Sequence, residues 1–282
     1  MSELMDKILA KVTKLPPFPK VLDKVLSLLD DPDVAVGELV EVVQLDPSLT
    51  ANVLQQVNSA YYGLPRQVNN LDQALAYLGN ERFQEVVTAS AAVRILAGEQ
   101  PGYDLPQGQL WRHSIAVAMM TQVLAQQAGV KPGSALYTAA LLHDIGKVVL
   151  SSFVGDRISV ILEAVDQGAS FLEAEKEILG LDHAAVGGRI AQEWRFSDEM
   201  VELIAFHHEP EKRPESEDLA LLYLADLACQ LLGLGVGVDG LAYRGRQAAM
   251  KKFGFKEKDL ELAMAELHQN LSRAEVLLEM DS

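Results

Sequence analysis

Six histidines occur in the 282 residues, and five of them, His113, His143, His183, His207 and His208, fall between positions 113 and 208. Imidazole nitrogens and carboxylate oxygens are the donor set of borderline transition metals, so each position is weighed as a ligand and as an ordinary residue. His113 shares a helical face with Leu110, Val117, Met120 and Leu124 and so points inward. A lone histidine on such a face is more often a satisfied core residue than a ligand. His143 and Asp144 lie side by side in the apolar run Ala139 to Leu150. A buried carboxylate without a partner costs several kcal/mol or is forced neutral. Lys147, one turn on, could be that partner, and so could a metal held near a helix end loosened by Gly146.

His183 follows Asp182, a good N-cap, which puts it in the first turn of a helix. There it is either an exposed residue or part of an anion-friendly terminus. Gly187 and Gly188 inside that helix each cost about 1 kcal/mol relative to alanine and imply a close neighbour. His207 and His208 close another helix, where the dipole favours them, and they diverge by about 100° toward different partners. Asp226 stands in Leu221-Leu222-Tyr223-Leu224-Ala225-Asp226-Leu227-Ala228-Cys229 with no Lys or Arg within a turn. Its partner must come from elsewhere in the fold: Lys147, a histidine or a metal. His268, on a charged C-terminal helix, reads as solvated. Together the donors suffice for one or two divalent ions. A histidine-rich set favours Fe, Mn, Ni or Zn over Mg or Ca, and paired ions suit phosphate-ester hydrolysis.

The elements that must position these groups read as helices throughout. A short N-terminal helix is followed by a break at Leu15-Pro16-Pro17-Phe18-Pro19. A helical face at Val21, Leu22, Val25, Leu28 and Leu29 ends at Asp30-Asp31-Pro32, and a short helix covers Glu38 to Leu45. Asp46-Pro47 is an N-cap with proline at the first helical position. Leu71 to Leu96 is helical with a break at Gly79-Asn80, and Gly98 to Gly102 is the best boundary in the chain. Further helices are expected at Gln107 to Ala128, Ala135 to Asp144, Arg157 to Gln167, Phe171 to Leu179, His183 to Trp194, Asp198 to His207, Asp218 to Leu232 and Lys256 to Leu278. No alternation is long enough for a sheet.

The formal charge of −16 argues against general nucleic-acid or membrane binding while allowing a small anionic ligand in a local pocket. Cys229 is the single cysteine, which fits a reducing, cytoplasmic compartment. The N-terminus has no signal-peptide core. The most apolar stretch, Leu219 to Val238, contains Asp226 and Gln230 and reads as a buried helix.

The order His113, His143-Asp144, Asp226 resembles the metal-binding pattern of the HD superfamily of phosphohydrolases. With His183, His207, His208 and Lys147 in His-Asp-Ile-Gly-Lys it is similar to the fuller set of the HD-GYP cyclic-di-GMP phosphodiesterases. The resemblance implies that His113, His143, Asp144, His183, His207, His208 and Asp226 are metal ligands, that Asp144 bridges, and that Lys147 meets substrate phosphate. The chain departs from the pattern where it reads His208-Glu209-Pro210-Glu211 without a Gly-Tyr-Pro motif, and where Gln109 replaces a glutamate. Leu15 to Pro19, Asp46-Pro47-Ser48-Leu49, Asn58-Ser59-Ala60-Tyr61-Tyr62-Gly63, Ala74 to Gly79 and Gly180-Leu181-Asp182-His183-Ala184 resemble the HDOD branch, over roughly residues 10 to 235.

The expected architecture is all-α: a multi-helix HD-type bundle with an N-terminal helical subdomain, divided as residues 1–98 and 99–282. The resemblance implies a regulatory, signal-transduction role through a partner protein or a small nucleotide ligand. A metal-dependent phosphohydrolase is the alternative, with Lys147 and Asp144 in catalysis. The region after about Gly240 carries no assignable motif.

Overall fold

The structure is a computed structural model that describes residues 3–14, 24–25, 28, 36–133, 135–235, 237–238 and 246–273. The expected break at Leu15 to Pro19, most of the face beginning at Val21, the stop at Asp30-Asp31-Pro32 and the turns beyond Arg273 lie outside those residues. Val25 and Leu28 are described, and both are buried. Among the described residues the regular structure is helical, with no strand. No helix among the described residues is long and apolar enough to cross a membrane.

The chain divides into two compact units, residues 16–95 with 268–282, and residues 1–15 with 96–267. The first helix, α1 (Glu3–Val12), belongs to the second of these. In the first unit, α2 (Val36–Gln44) packs on α3 (Pro47–Val57), and α4 spans Leu71–Leu96. The expected cap is present: Asp46 Oδ1 accepts from the Leu49 amide at 3.0 Å, ahead of Pro47 in the first turn. The expected break is present too, since Gly79 has φ 73° and ψ 176°, a conformation open to glycine and strained for other residues.

The Asp46 carboxylate also takes two bonds from the Arg94 guanidinium, at 2.8 and 3.1 Å. Arg94 and the Leu49 amide hold its pKa down at about 2. The folded state therefore prefers the ionised form. The contribution is complete above the ordinary value near 3.8 and is lost as pH falls through about 2. Asp46→Ala is expected to cost about 1–2 kcal/mol at neutral pH, chiefly the cap, because the ion pair is partly exposed. Urea unfolding should show the difference from the parent narrowing at low pH.

With α1, the second unit holds α5 (Gln109–Ala128), α6 (Leu136–Leu142), α7 (Ile145–Gly155), α8 (Ile158–Asp166), α9 (Phe171–Leu179), α10 (His183–Glu193), α11 (Asp198–Ala205), α12 (Glu217–Leu231) and α13 (Arg246–Lys252). It also holds most of α14 (Glu257–Arg273). Its core is α5 against α6 and α12, and α10 against α7 and α11. α5 and α12 are apolar nearly all round, with Trp111, Ile115, Val117, Leu221, Leu222 and Leu224 fully or almost fully buried. Side-chain caps start several of its helices: Ser170 in a capping box for α9, Asp182 for α10, Ser197 for α11 and Ser216 for α12. α1 joins this unit through buried Ile8 and Val12 and through Lys11, whose ammonium donates to the Val149 carbonyl and to Ser152 Oγ of α7.

Two features escape the sequence pattern. α7 follows α6 after only His143 and Asp144, and is covered by α1, α9, α10 and the turn at Pro101–Tyr103, so it has no polar stripe to mark it. Gly146 does not loosen a helix end. It sits in the first turn of α7, where α10 crosses so closely that a Cβ would overlap the His183 carbonyl oxygen and come within 2.8 Å of the Gly187 nitrogen. The expectation of a close neighbour at Gly187 and Gly188 holds. Their added Cβ atoms would meet Ile204 Cγ2 at 2.9 Å and Ala205 Cβ at 2.7 Å.

Candidate metal centre

The seven residues with metal-ligand chemistry come from five places in the chain and lie together in the second unit. His113 is in α5, His143 caps the end of α6, Asp144 precedes α7, His183 opens α10, His207 and His208 follow α11, and Asp226 is in α12. All are 7% exposed or less. His183 is therefore not the exposed first-turn residue that its position alone suggests: α7 and α11 pack over α10 and bury it. His268 is exposed, as expected.

The hydrogen bonds around the imidazoles fix their tautomers. Nδ1 of His143 faces the Ala140 carbonyl at 2.7 Å, that of His207 the Ile204 carbonyl at 2.8 Å, and that of His113 the Leu234 carbonyl at 2.9 Å. Nδ1 of His183 faces Glu175 Oε2 at 2.7 Å. Carbonyls and carboxylates only accept, so each of these four rings donates from Nδ1. His113 Nε2 meets Asp226 Oδ1 at 3.0 Å and His183 Nε2 meets His208 Nε2 at 2.9 Å, while Nε2 of His143 and His207 turns toward the centre. There, His143 Nε2, His207 Nε2 and Asp144 Oδ1 are buried without any hydrogen-bond partner. His143 Nε2 lies 3.4 Å from Asp144 Oδ2, and His207 Nε2 lies 3.9 Å from Asp144 Oδ1. Buried electron pairs that converge without a hydrogen-bond partner are the arrangement that a cation completes, so these residues fit a metal ion.

Among the described residues, three sets have donor atoms within 4.8 Å of one another: His113, His143 and Asp144; His143, His207 and Asp226; and His183, His207 and His208. Asp144 is within 4 Å of donors from His113, His143, His183 and His207. Asp226 Oδ1 lies 3.0 Å from His113 Nε2, and Oδ2 lies 3.7 Å from His208 Nδ1. Of the partners weighed for Asp226, histidine is one that these distances place beside it.

Electrostatics keeps the carboxylates charged. Burial pushes the Asp144 pKa up, but Lys147, whose ammonium is 2.6 Å away, outweighs it with His143 and His183, and the result is well below the ordinary value. Burial is likewise overcome at Asp226 by His113 and His143, leaving a lowered pKa. His207 is held down at about 3 by burial and by the crowding of His143 and His183, and His208 is lowered by burial and by His207 and His183 beside it. These are neutral, ligand-competent rings.

Two site residues escape a reading of the sequence. Glu175, fully buried in α9, accepts from the His183 backbone amide and side chain and from the Tyr103 hydroxyl. It does carry a signal: it lies four residues after Phe171 on the apolar face with Ala174 and Leu179. Tyr103 lies just past the segment that reads as a boundary. The turn Pro101–Tyr103 is instead anchored to α7, where the Gly102 amide donates to Ser151 Oγ at 3.0 Å.

The family model of the HDOD domain matches residues 15–210. The chain belongs to the HDOD family. Among solved structures, an HDOD domain protein of unknown function from Geobacter sulfurreducens is 26% identical, with a TM-score of 0.79 over 99% of this chain and 97% of that one. A candidate phosphohydrolase from Shewanella amazonensis SB2B is 28% identical, with a TM-score of 0.74 over 98% of each chain. These likenesses extend past the matched domain, so the C-terminal helices without a motif belong to the shared fold. A curated protein from Treponema pallidum (strain Nichols) is 25% identical over 224 residues, 76% of this HDOD chain. The chain spans only 41% of that relative's length.

Proposed function

We propose that this HDOD chain is a metal-binding regulatory module of the cytoplasm. It takes up one or two divalent transition ions (Fe, Mn, Ni or Zn) on His113, His143, Asp144, His183, His207, His208 and Asp226, and it acts by binding a ligand or a signalling partner protein. The observation that carries this reading is the closed centre: seven ligand-type residues, none more than 7% exposed, with His143 Nε2, His207 Nε2 and Asp144 Oδ1 buried without a hydrogen-bond partner. A phosphate ester would have to displace protein to reach it. A surface cavity of about 210 Å³ between α10 and α11, lined in part by Asp182, Phe206 and Glu209, adjoins in sequence three of the histidines and offers a place from which a small ligand would be felt.

The second reading, a metal-dependent phosphohydrolase acting on a nucleotide or cyclic dinucleotide, is favoured by Lys147 beside Asp144 and by the overlapping donor sets. Bound ions would supply charge stabilisation to the attacking and leaving oxygens of a phosphoester. Lys147 would neutralise phosphate, and Asp144 would hold the ion in place.

The test pairs a melting curve with a turnover assay. Purified protein loaded with Mn, Fe, Ni or Zn is expected to melt higher than metal-free protein, as linkage requires of a ligand bound only by the folded state. It is expected to leave phosphate monoesters, nucleotides and cyclic dinucleotides intact. Specific turnover that disappears in Lys147→Met would transfer the conclusion to the second reading.

A further inference from the structure

Glu175 is a fully buried carboxylate that belongs to none of the three donor sets, yet every hydrogen bond it makes bears on His183 or on the turn beside it. One oxygen, Oε2, accepts from both the backbone amide and Nδ1 of His183, at 3.1 and 2.7 Å. The other accepts from the Tyr103 hydroxyl at 2.5 Å. Tyr103 is itself fully buried and held at both ends. Its carbonyl takes the Val238 amide at 3.1 Å, and its ring lies 6.2 Å from the His183 ring, edge on, and 5.7 Å from the Lys147 ammonium. The other histidines with assigned tautomers, His113, His143 and His207, rest on backbone carbonyls, so His183 alone among these four has a charged acceptor behind it.

A carboxylate behind a ligating imidazole fixes the ring and raises its basicity, and losing one typically costs 10–100-fold in metal affinity. We propose that Glu175, braced by Tyr103, is a positioning residue that sets the affinity of the His183, His207 and His208 group for its ion, with a smaller effect on the His113, His143 and Asp144 group. This rests on the metal-binding reading above. Glu175 reaches neither His113 nor His143 by any hydrogen bond among the described residues, so its direct contacts lie on one side of the centre.

The experiment is a competitive titration of the full chain with Co(II) against a chromophoric chelator, with the visible spectrum recorded for the parent, Glu175→Gln, Tyr103→Phe and His113→Ala. Glutamine keeps the size and one acceptor but removes the charge. Glu175→Gln is expected to weaken one binding event by about 10–100-fold and to change the spectral component lost with it. Tyr103→Phe should weaken the same event by less. His113→Ala should weaken the other event and leave the Glu175-dependent component in place. Melting of the metal-free proteins separates misfolding from a local effect, since Tyr103→Phe keeps the ring and its packing. Parent protein that takes up no Co(II) would overturn the metal-binding reading itself. Parent protein that loads normally, with both variants unchanged or with all events weakened equally, would overturn this inference alone.

Discussion

Asp144→Asn is expected to abolish tight uptake of divalent metal and to lower the stability of the metal-free protein by about 3–5 kcal/mol, the range for breaking a buried ion pair by removing one member. Asp144 is 1% exposed, and its Oδ2 accepts from a Lys147 ammonium that is almost equally buried. Asparagine keeps the shape but withdraws the charge that stabilises Lys147 and that lies within 4 Å of donors on four histidines. Adding Lys147→Met to Asp144→Asn should recover a large part of the lost stability and none of the metal. Urea unfolding of the metal-free single and double variants measures the first effect, and elemental analysis measures the second. A single variant that retains parental stability would mean that the pair contributes nothing net to the fold.

Gly146→Ala carries the second large effect. The added methyl would overlap the His183 carbonyl oxygen and lie 2.9 Å from the His183 carbonyl carbon, and both are backbone atoms that no rotamer change can move away. α7 and α10 would have to separate, at a cost of about 3 kcal/mol or more. The separation also pulls His183 from Asp144, since the crossing point is the His183 backbone itself. Gly187→Ala makes an instructive comparison. Its methyl would meet the end of the Ile204 side chain, which can shift, so a smaller loss is expected there. Calorimetric melting of the two variants should rank them in that order, and Gly146→Ala within about 1 kcal/mol of the parent would contradict the packing argument.

Local chemistry was legible where it is self-contained. Asp46 and Asp182 cap helices because a short acceptor precedes a helical run, and Gly79 breaks one because its φ is positive. The inward face of His113 follows from the apolar residues three and four positions away. Tertiary packing decided the rest. His183 is polar and follows a cap, which reads as exposed until α7 and α11 cover it. Gly146 reads as a loosening residue because the sequence does not say that another backbone arrives there. Glu175 lies among Glu173, Lys176 and Glu177, so its place on the apolar face is hidden by the charge of its neighbours. Tyr103 sits beside the Pro- and Gly-containing segment that marks a boundary by composition, and its role emerges only when the turn is seen bonded to α7. The seven donor residues were recognisable as a set because their order resembles a known family. Of the hydrogen bonds that hold four of their rings, those of His143 and His207 reach only the carbonyl three residues back, while those of His183 to Glu175 and of His113 to Leu234 depend on packing that the spacing does not announce.

The most direct test of the central claim is the metal content of the full chain as purified, measured by elemental analysis beside His143→Ala. His143 belongs to two of the three donor sets, and its Nε2 is one of the buried atoms without a hydrogen-bond partner. One or two equivalents of Fe, Mn, Ni or Zn in the parent, falling sharply in the variant, is the predicted result. A parent that stays metal-free even after incubation with each of these ions would contradict it and leave the cluster as a hydrogen-bonded polar core.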